Sequence, residues 1–162
     1  MNKKGHVLNA VVLSIGLAVL TYPAGDLTTV RAVLAIAVPV TLGALFPDVD
    51  TAFGTHRKTF HNLPVLVLFF VYPIYFGNLQ YVWIGVATHY ALDLLGSKRG
   101  IALFYPFDSG EFDFPFGVST RSRFAGGVIL VVTALELAVA AALVTEYPQR
   151  LLAYGLRASG LF

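Results

Sequence analysis

Apolar residues gather in five blocks, at roughly 7–24, 28–47, 62–77, 79–95 and 124–146, with short polar stretches between them. A helix needs about 20 apolar residues to cross the hydrocarbon core, and about 17 is the lower limit. The first, second and fifth blocks meet that requirement. The third and fourth are short or marginal and are joined by a tight turn at 76–80, so they read as a hairpin of two further spans. The pattern therefore predicts an all-α integral membrane protein, a bundle of about five transmembrane helices forming one domain over 1–162. Pro39 and Pro73 fall inside apolar blocks, where membrane helices tolerate a kink. Pro47 closes the second block. Asn62, Leu63 and Pro64 have the form of an N-cap and first turn, which starts the third helix just after His61.

One long stretch, 96–123, lacks a helical period and is rich in glycine, proline and aromatic residues. It predicts an ordered loop capping the cytoplasmic end of the bundle, with Asp108, Ser109 and Gly110 as the turn signal of a β-hairpin. The tail at 150–162 is too short to span and reads as an interfacial helix. Lys3 and Lys4 ahead of an apolar run have the look of a signal peptide. No small-residue cleavage pattern and no soluble domain follows, so a retained span is expected.

Composition sharpens this picture. The chain is 57% hydrophobic and only 12% charged, with a mean hydropathy of +0.74; a soluble domain carries about 25% charged residues. The net charge of +2 comes from loop residues rather than from a dense basic face, so no nucleic-acid partner is expected. There is no cysteine, which excludes disulfides, thiolate metal sites and cysteine nucleophiles. With the N-terminus in the cytoplasm and five alternating spans, Lys3, Lys4, Arg57, Lys58, Lys98, Arg99, Arg121 and Arg123 fall inside, and only Arg31, Arg150 and Arg157 fall outside. The positive-inside rule thus predicts a multi-pass plasma-membrane protein of that orientation.

The same topology collects the ionisable residues. His6 lies at the inner end of the first block, and Asp48, Asp50, His56 and His61 in the loop before the third. His89 and Asp93 approach the inner end of the fourth. His89 and Asp93 are four apart and share a helical face. Asp48 and Asp50 are two apart in an expected non-helical turn, where alternate side chains converge. His56 and His61 are five apart and would diverge by about 140° on one helix, so they fit a loop ligand and one at the helix entry. All seven are candidate metal ligands. Nitrogen and oxygen donors suit zinc first, with manganese, iron or magnesium also compatible. One ion would leave ligands to spare, and two sharing a bridging aspartate would use most of them. Either arrangement suits hydrolysis by an activated water, with Asp48, Asp50 and His61 the expected catalytic members.

The ordered elements Gly5-His6, Leu45-Phe46-Pro47-Asp48-Val49-Asp50, His56 to His61, Thr88-His89 with Asp93, and Ala102 to Phe107 resemble the YdjM-type membrane-bound metal-dependent hydrolases, a family of unknown function, over roughly residues 5–115. Lys58 stands where that family often has glycine, and Thr88 where it often has serine. The resemblance implies metal-site roles for Asp48, Asp50, His56, His61, His89 and Asp93. The substrate expected at such a position is a lipid or another amphipathic ester, a phosphoester by preference, with Arg57, Lys58 and Arg99 binding it and membrane lipids as surroundings. The alternative is a non-enzymatic metal-binding or ion-transport protein using the same residues, although transporter ligands gather nearer the midplane. Tyr105, Phe107, Phe112, Phe114 and Phe116 read as an interfacial aromatic belt or the wall of an acyl-chain cleft. Glu136, inside the fifth block, is left to pair with Arg31 or a backbone group, or to act in function. Oligomeric state is not readable from the chain.

Overall fold

The computed structural model describes residues 1–115, 117–119 and 122–144. Among the described residues there are six α-helices: α1 (Lys3–Thr21), α2 (Leu27–Leu45), the single turn α3 (Asp50–Phe53), α4 (Leu63–Phe76), α5 (Val82–Gly96) and α6 (Ala125–Val144). A 3-10 turn, Pro47–Val49, links α2 to α3. No strand forms among the described residues. The expected tail helix at 150–162, Phe116 and Arg121 lie outside them.

Local chemistry sets the helix starts. Asn2 accepts from the Gly5 amide at 2.8 Å, and Asp26 accepts from the Thr28 and Thr29 amides. Asn62 accepts from the Val65 amide at 3.0 Å, with Pro64 in the first turn, as the sequence predicts. Gly77 ends α4 in the left-handed region at φ 66°, the conformation that glycine adopts without steric cost.

Among the described residues three helices, not five, are long and apolar enough to cross a membrane: α1, the α2 segment and α6. The 14 residues of α4 and 15 of α5 extend only about 21 and 22 Å, well short of a hydrocarbon core about 30 Å thick. They pack together as a hairpin. The apolar count alone suggested two more spans because Gly77 and Tyr81 end the helices earlier than hydropathy does.

Helix α5 is the hub and packs on α1, α2, α4 and α6. Its approach to α2 needs the absence of side chains. A Cβ on Gly43 would stand 2.1 Å from the Val82 carbonyl oxygen, and one on Gly85 would stand 2.0 Å from that of Val40. Between α1 and α2 the core is small: Ala10, Ala18, Ala32, Ile36, Val40 and Ala44. Small residues let membrane helices gain dispersion contacts that lipid would otherwise supply. The outer faces carry exposed Leu34, Val38, Val131, Leu135, Val139 and others, as suits helices solvated by lipid.

The 97–119 segment folds over one end of the bundle. The expected hairpin is reduced to a single antiparallel bridge, Ile101 with Phe112, and a parallel bridge joins Ser97 to Val118. The Asp108 carboxylate takes the Gly110 amide at 2.9 Å, which closes the turn by side chain rather than by a ladder. Ile101 and Ala102 are fully buried, so the cap is anchored to α5 by its own core.

Candidate metal centre

All seven candidate ligands meet at the capped end of the bundle. His6, His89 and Asp93 form one group able to share an ion, and Asp48, His56 and His61 form a second. Asp93 and Asp48 link the two. Asp93 Oδ2 is 3.5 Å from His89 Nε2 and 3.7 Å from His61 Nε2, and Asp48 Oδ1 is 3.8 Å from His89 Nε2. The His89–Asp93 pair comes from the four-residue spacing on α5. The His6 ring stacks on that of His89 at 3.7 Å.

The two aspartates of the 48–50 turn do not converge as alternate residues of an extended chain. In a 3-10 turn, residues two apart point about 240° around the axis. Asp48 therefore reaches the Nε2 side of His89, while Asp50 turns inward. Asp50 Oδ1 and Oδ2 lie 2.8 Å from His56 Nδ1 and His61 Nδ1, and Oδ2 also accepts from the Arg57 amide at 3.1 Å. Asp50 is thus placed behind the histidines rather than among the convergent atoms.

This arrangement fixes the imidazoles. A carboxylate only accepts, so His56 and His61 carry their protons on Nδ1. The Ala44 carbonyl accepts from His89 Nδ1 at 2.6 Å, an orientation that the close α2–α5 crossing makes possible. The His61 Nε2 lone pair then points at His89 Nε2, 3.1 Å away. Burial pushes the His61 imidazole down to about 4, with the neighbouring His89 adding to the effect, so His61 is neutral at pH 7. His6 is 1% exposed, and neither of its nitrogens has a hydrogen-bond partner among the described residues.

Other polar groups hold the frame. The Tyr90 hydroxyl donates to the Phe60 carbonyl at 2.6 Å and accepts from the Asn62 amide at 3.1 Å, clamping the backbone on both sides of His61. Arg57 adopts φ 69° and is buried. Its guanidinium donates to the Ser97 hydroxyl and to the Arg99 and Gly100 carbonyls, and it lies 3.9 Å from Asp93. Its Nη1 is thus engaged inside the protein and its Nη2 faces Asp93. Lys58 donates to the Ser109 carbonyl at 3.1 Å. Arg99 pairs with Glu111 at 2.8 and 3.0 Å, and these hydrogen bonds hold the Glu111 carboxyl below its usual range.

Next to the centre lies a polar layer that spacing alone did not reveal. Glu136 of α6 accepts from the Thr88 hydroxyl at 2.6 Å and from the Asn9 amide at 3.2 Å. Asn9 also donates to Thr88 and accepts from Thr133. Asn9 is one turn beyond His6, and Thr88 precedes His89. Glu136 therefore ties α1, α5 and α6 together beneath the histidines rather than pairing with Arg31. Tyr90 and Thr88 sit inside the motif that carries His89, which was the only sequence signal for either.

These features define a helical membrane protein with a buried histidine–aspartate centre at one end of its bundle. The profile of the YdjM inner membrane protein family matches residues 1–158, and the chain belongs to that family. Comparison with curated proteins found no match, and comparison with solved structures found none either.

Proposed function

We propose that the protein is a metal-dependent hydrolase of the inner membrane, holding one or two divalent ions, zinc by preference, at the cytoplasmic face. The observation that carries this reading is the approach of His61 Nε2 and His89 Nε2 to 3.1 Å, with both Nδ1 atoms committed elsewhere. Such a contact needs either a proton or a metal ion between the two nitrogens. Two nitrogens on one tetrahedral zinc, each bonded at about 2.05 Å, stand about 3.3 Å apart. His6, whose Nε2 lies 3.4 Å from Asp93 Oδ1, and the carboxylates of Asp93 and Asp48 complete a donor set of nitrogen and oxygen, which fits the ion.

A bound divalent ion would supply Lewis acidity and an acidified water. The protein's own residues do the rest. Asp50 holds His56 and His61 in one tautomer, the role of a carboxylate behind a ligand histidine. His6, His61, His89 and Asp93 are closed to solvent, so the reacting side is the edge formed by Asp48 and His56, whose side chains are 12% and 38% exposed. A proton released there has the Asp48 carboxylate as its acceptor. An amphipathic ester suits a centre at a membrane surface, and Lys58 and Arg99 near the cap favour a phosphoester.

A second reading, a non-enzymatic ion-handling protein, draws on the Asn9–Thr88–Glu136 layer. Beyond that layer the core is mostly apolar, with Leu13, Ala18, Ile36 and Val40. The buried hydroxyls of Ser14 and Thr29 donate to the Ala10 and Tyr22 carbonyls, and neither residue is ionisable, which favours the hydrolase.

The test is metal content of the detergent-purified protein by elemental mass spectrometry, beside a His89→Ala/Asp93→Ala variant. About one or two equivalents of metal, lost in a variant that keeps its helicity, is the expected result. No metal in the parent protein after reconstitution with zinc or manganese would overturn the proposal.

A further inference from the structure

The apolar stripe that α2 turns outward does not stop where the span stops. Val30, Leu34, Val38 and Leu42 recur every four residues and are all exposed. The series continues past the end of α2, through the half-buried Phe46, to Val49 and Phe53, which are 39% and 81% exposed. Val49 stands between Asp48 and Asp50. Phe53 is three residues before His56. The lipid-facing stripe thus runs into the rim of the metal centre, between its two exposed members.

The other approaches are closed. On the cap side, the Arg57 guanidinium is tied to Ser97, Arg99 and Gly100, and the Ala102 amide donates to the Arg57 carbonyl at 2.9 Å. On the α4 side, Phe46 packs against Phe60 at 5.1 Å and Phe69 at 4.8 Å. Toward the bundle interior lie α1 and α5. The edge that remains is Asp48, Val49, Phe53 and His56, two apolar groups flanked by two polar ones.

We infer that this edge is seated in the bilayer interface and that the centre opens sideways into lipid, past Val49 and Phe53, rather than into bulk water. The occupant of the rim is the bilayer itself, and the stripe shared with α2 is the surface that continues into it. Where the hydrolase reading holds, on which this further step rests, the substrate is an amphipath drawn from the membrane. Its scissile polar group meets Asp48 and His56 while its apolar part lies on Phe53, Val49 and Leu42. Phe53 and Val49 then set specificity without touching the reacting atoms.

The experiment uses the single tryptophan of the chain. In a Trp83→Phe background, Phe53→Trp and, as a reference within the span, Leu42→Trp are each reconstituted into phosphatidylcholine–phosphatidylglycerol vesicles. Emission is quenched either by lipids brominated near the top of the acyl chain or by aqueous iodide, and zinc content is read on the same samples. Phe53 is exposed, so its replacement disturbs no packing; Val49→Trp provides a second probe of the same rim. Loss of emission with bromolipid and little loss with iodide, at both rim positions, is the expected result. Quenching of both by iodide with none by bromolipid, while Leu42→Trp responds to bromolipid, overturns the inference. Bromolipid quenching in samples that bind no zinc would sink the hydrolase reading and leave the lipid-seated rim standing.

Discussion

Asp50 is the residue whose role depends most on the fold. Both its oxygens are spent on imidazole Nδ1 atoms and one backbone amide, and it is fully buried. Asn at this position keeps the shape but offers one accepting oxygen instead of two, so one histidine loses its anchor. Such a change behind the ligands costs about 10–100-fold in metal affinity. Asp50→Asn is therefore expected to bind zinc that much more weakly in a chelator-competition titration, short of the outright loss in His89→Ala/Asp93→Ala. Zinc affinity equal to the parent's would show that Asp50 does not hold the histidines. From sequence, Asp50 stands with Asp48 as an equal ligand candidate, because spacing gives proximity but not which edge of a ring is met. That these seven residues gather at one end of the bundle was legible, since histidines and aspartates are costly in so apolar a chain unless they face one another. The tautomers were not, because they depend on Ala44 and on a 3-10 turn that carries no signature beyond Pro47. Arg57 illustrates the same limit: a cation beside a histidine reads as a phosphate binder until its backbone turns to φ 69° and directs it inward.

Among the elements, the crossing of α2 and α5 matters most, because it brings the Ala44 carbonyl to His89. Gly43 and Gly85 make the crossing by leaving backbone against backbone. A methyl at either position meets a carbonyl that cannot move without its helix, and overpacking of this kind costs about 1–3 kcal/mol. Gly43→Ala and Gly85→Ala are expected to lower the melting temperature in detergent and to weaken zinc binding together, because separating the helices also withdraws the His89 anchor. Gly16→Ala is the comparison: its added methyl meets only the side chain of Leu137, which can swing aside. A Gly43→Ala variant with unchanged melting and zinc affinity would mean that the crossing does not set the site. Helix positions were largely legible from the sequence, each to within a few residues, because caps such as Asn62 and breaks such as Gly77 act locally. The glycine contact was not, since it pairs residues 42 positions apart that no periodicity connects.

At the scale of the whole molecule, three candidate spans replace five, and the side expected for each basic loop is the same under either count. A hairpin of α4 and α5 that enters and leaves on one side returns the chain to where two full crossings would have returned it. Lys98 and Arg99 would therefore stay with Lys3, Arg57 and Lys58, and the positive-inside rule gives the same expectation for three spans as for five. What differs is the hairpin tip. Two crossing helices would expose residues 77–81 to water on the far side, whereas helices of about 21 and 22 Å would end short of it. The absence of native cysteine gives a clean background for deciding this. Single cysteines at Pro23, Asn78 and Lys98 can be probed in intact cells and in inverted vesicles with a membrane-impermeant maleimide. Pro23→Cys is expected to label only from outside and Lys98→Cys only from the cytoplasmic side. Asn78→Cys is expected to stay unlabelled from both sides until detergent is added. Labelling of Asn78→Cys from outside at the rate of Pro23→Cys would restore the five-span bundle. Exchange of the Pro23 and Lys98 results would instead turn the centre, with its lipid-facing rim, to the opposite leaflet.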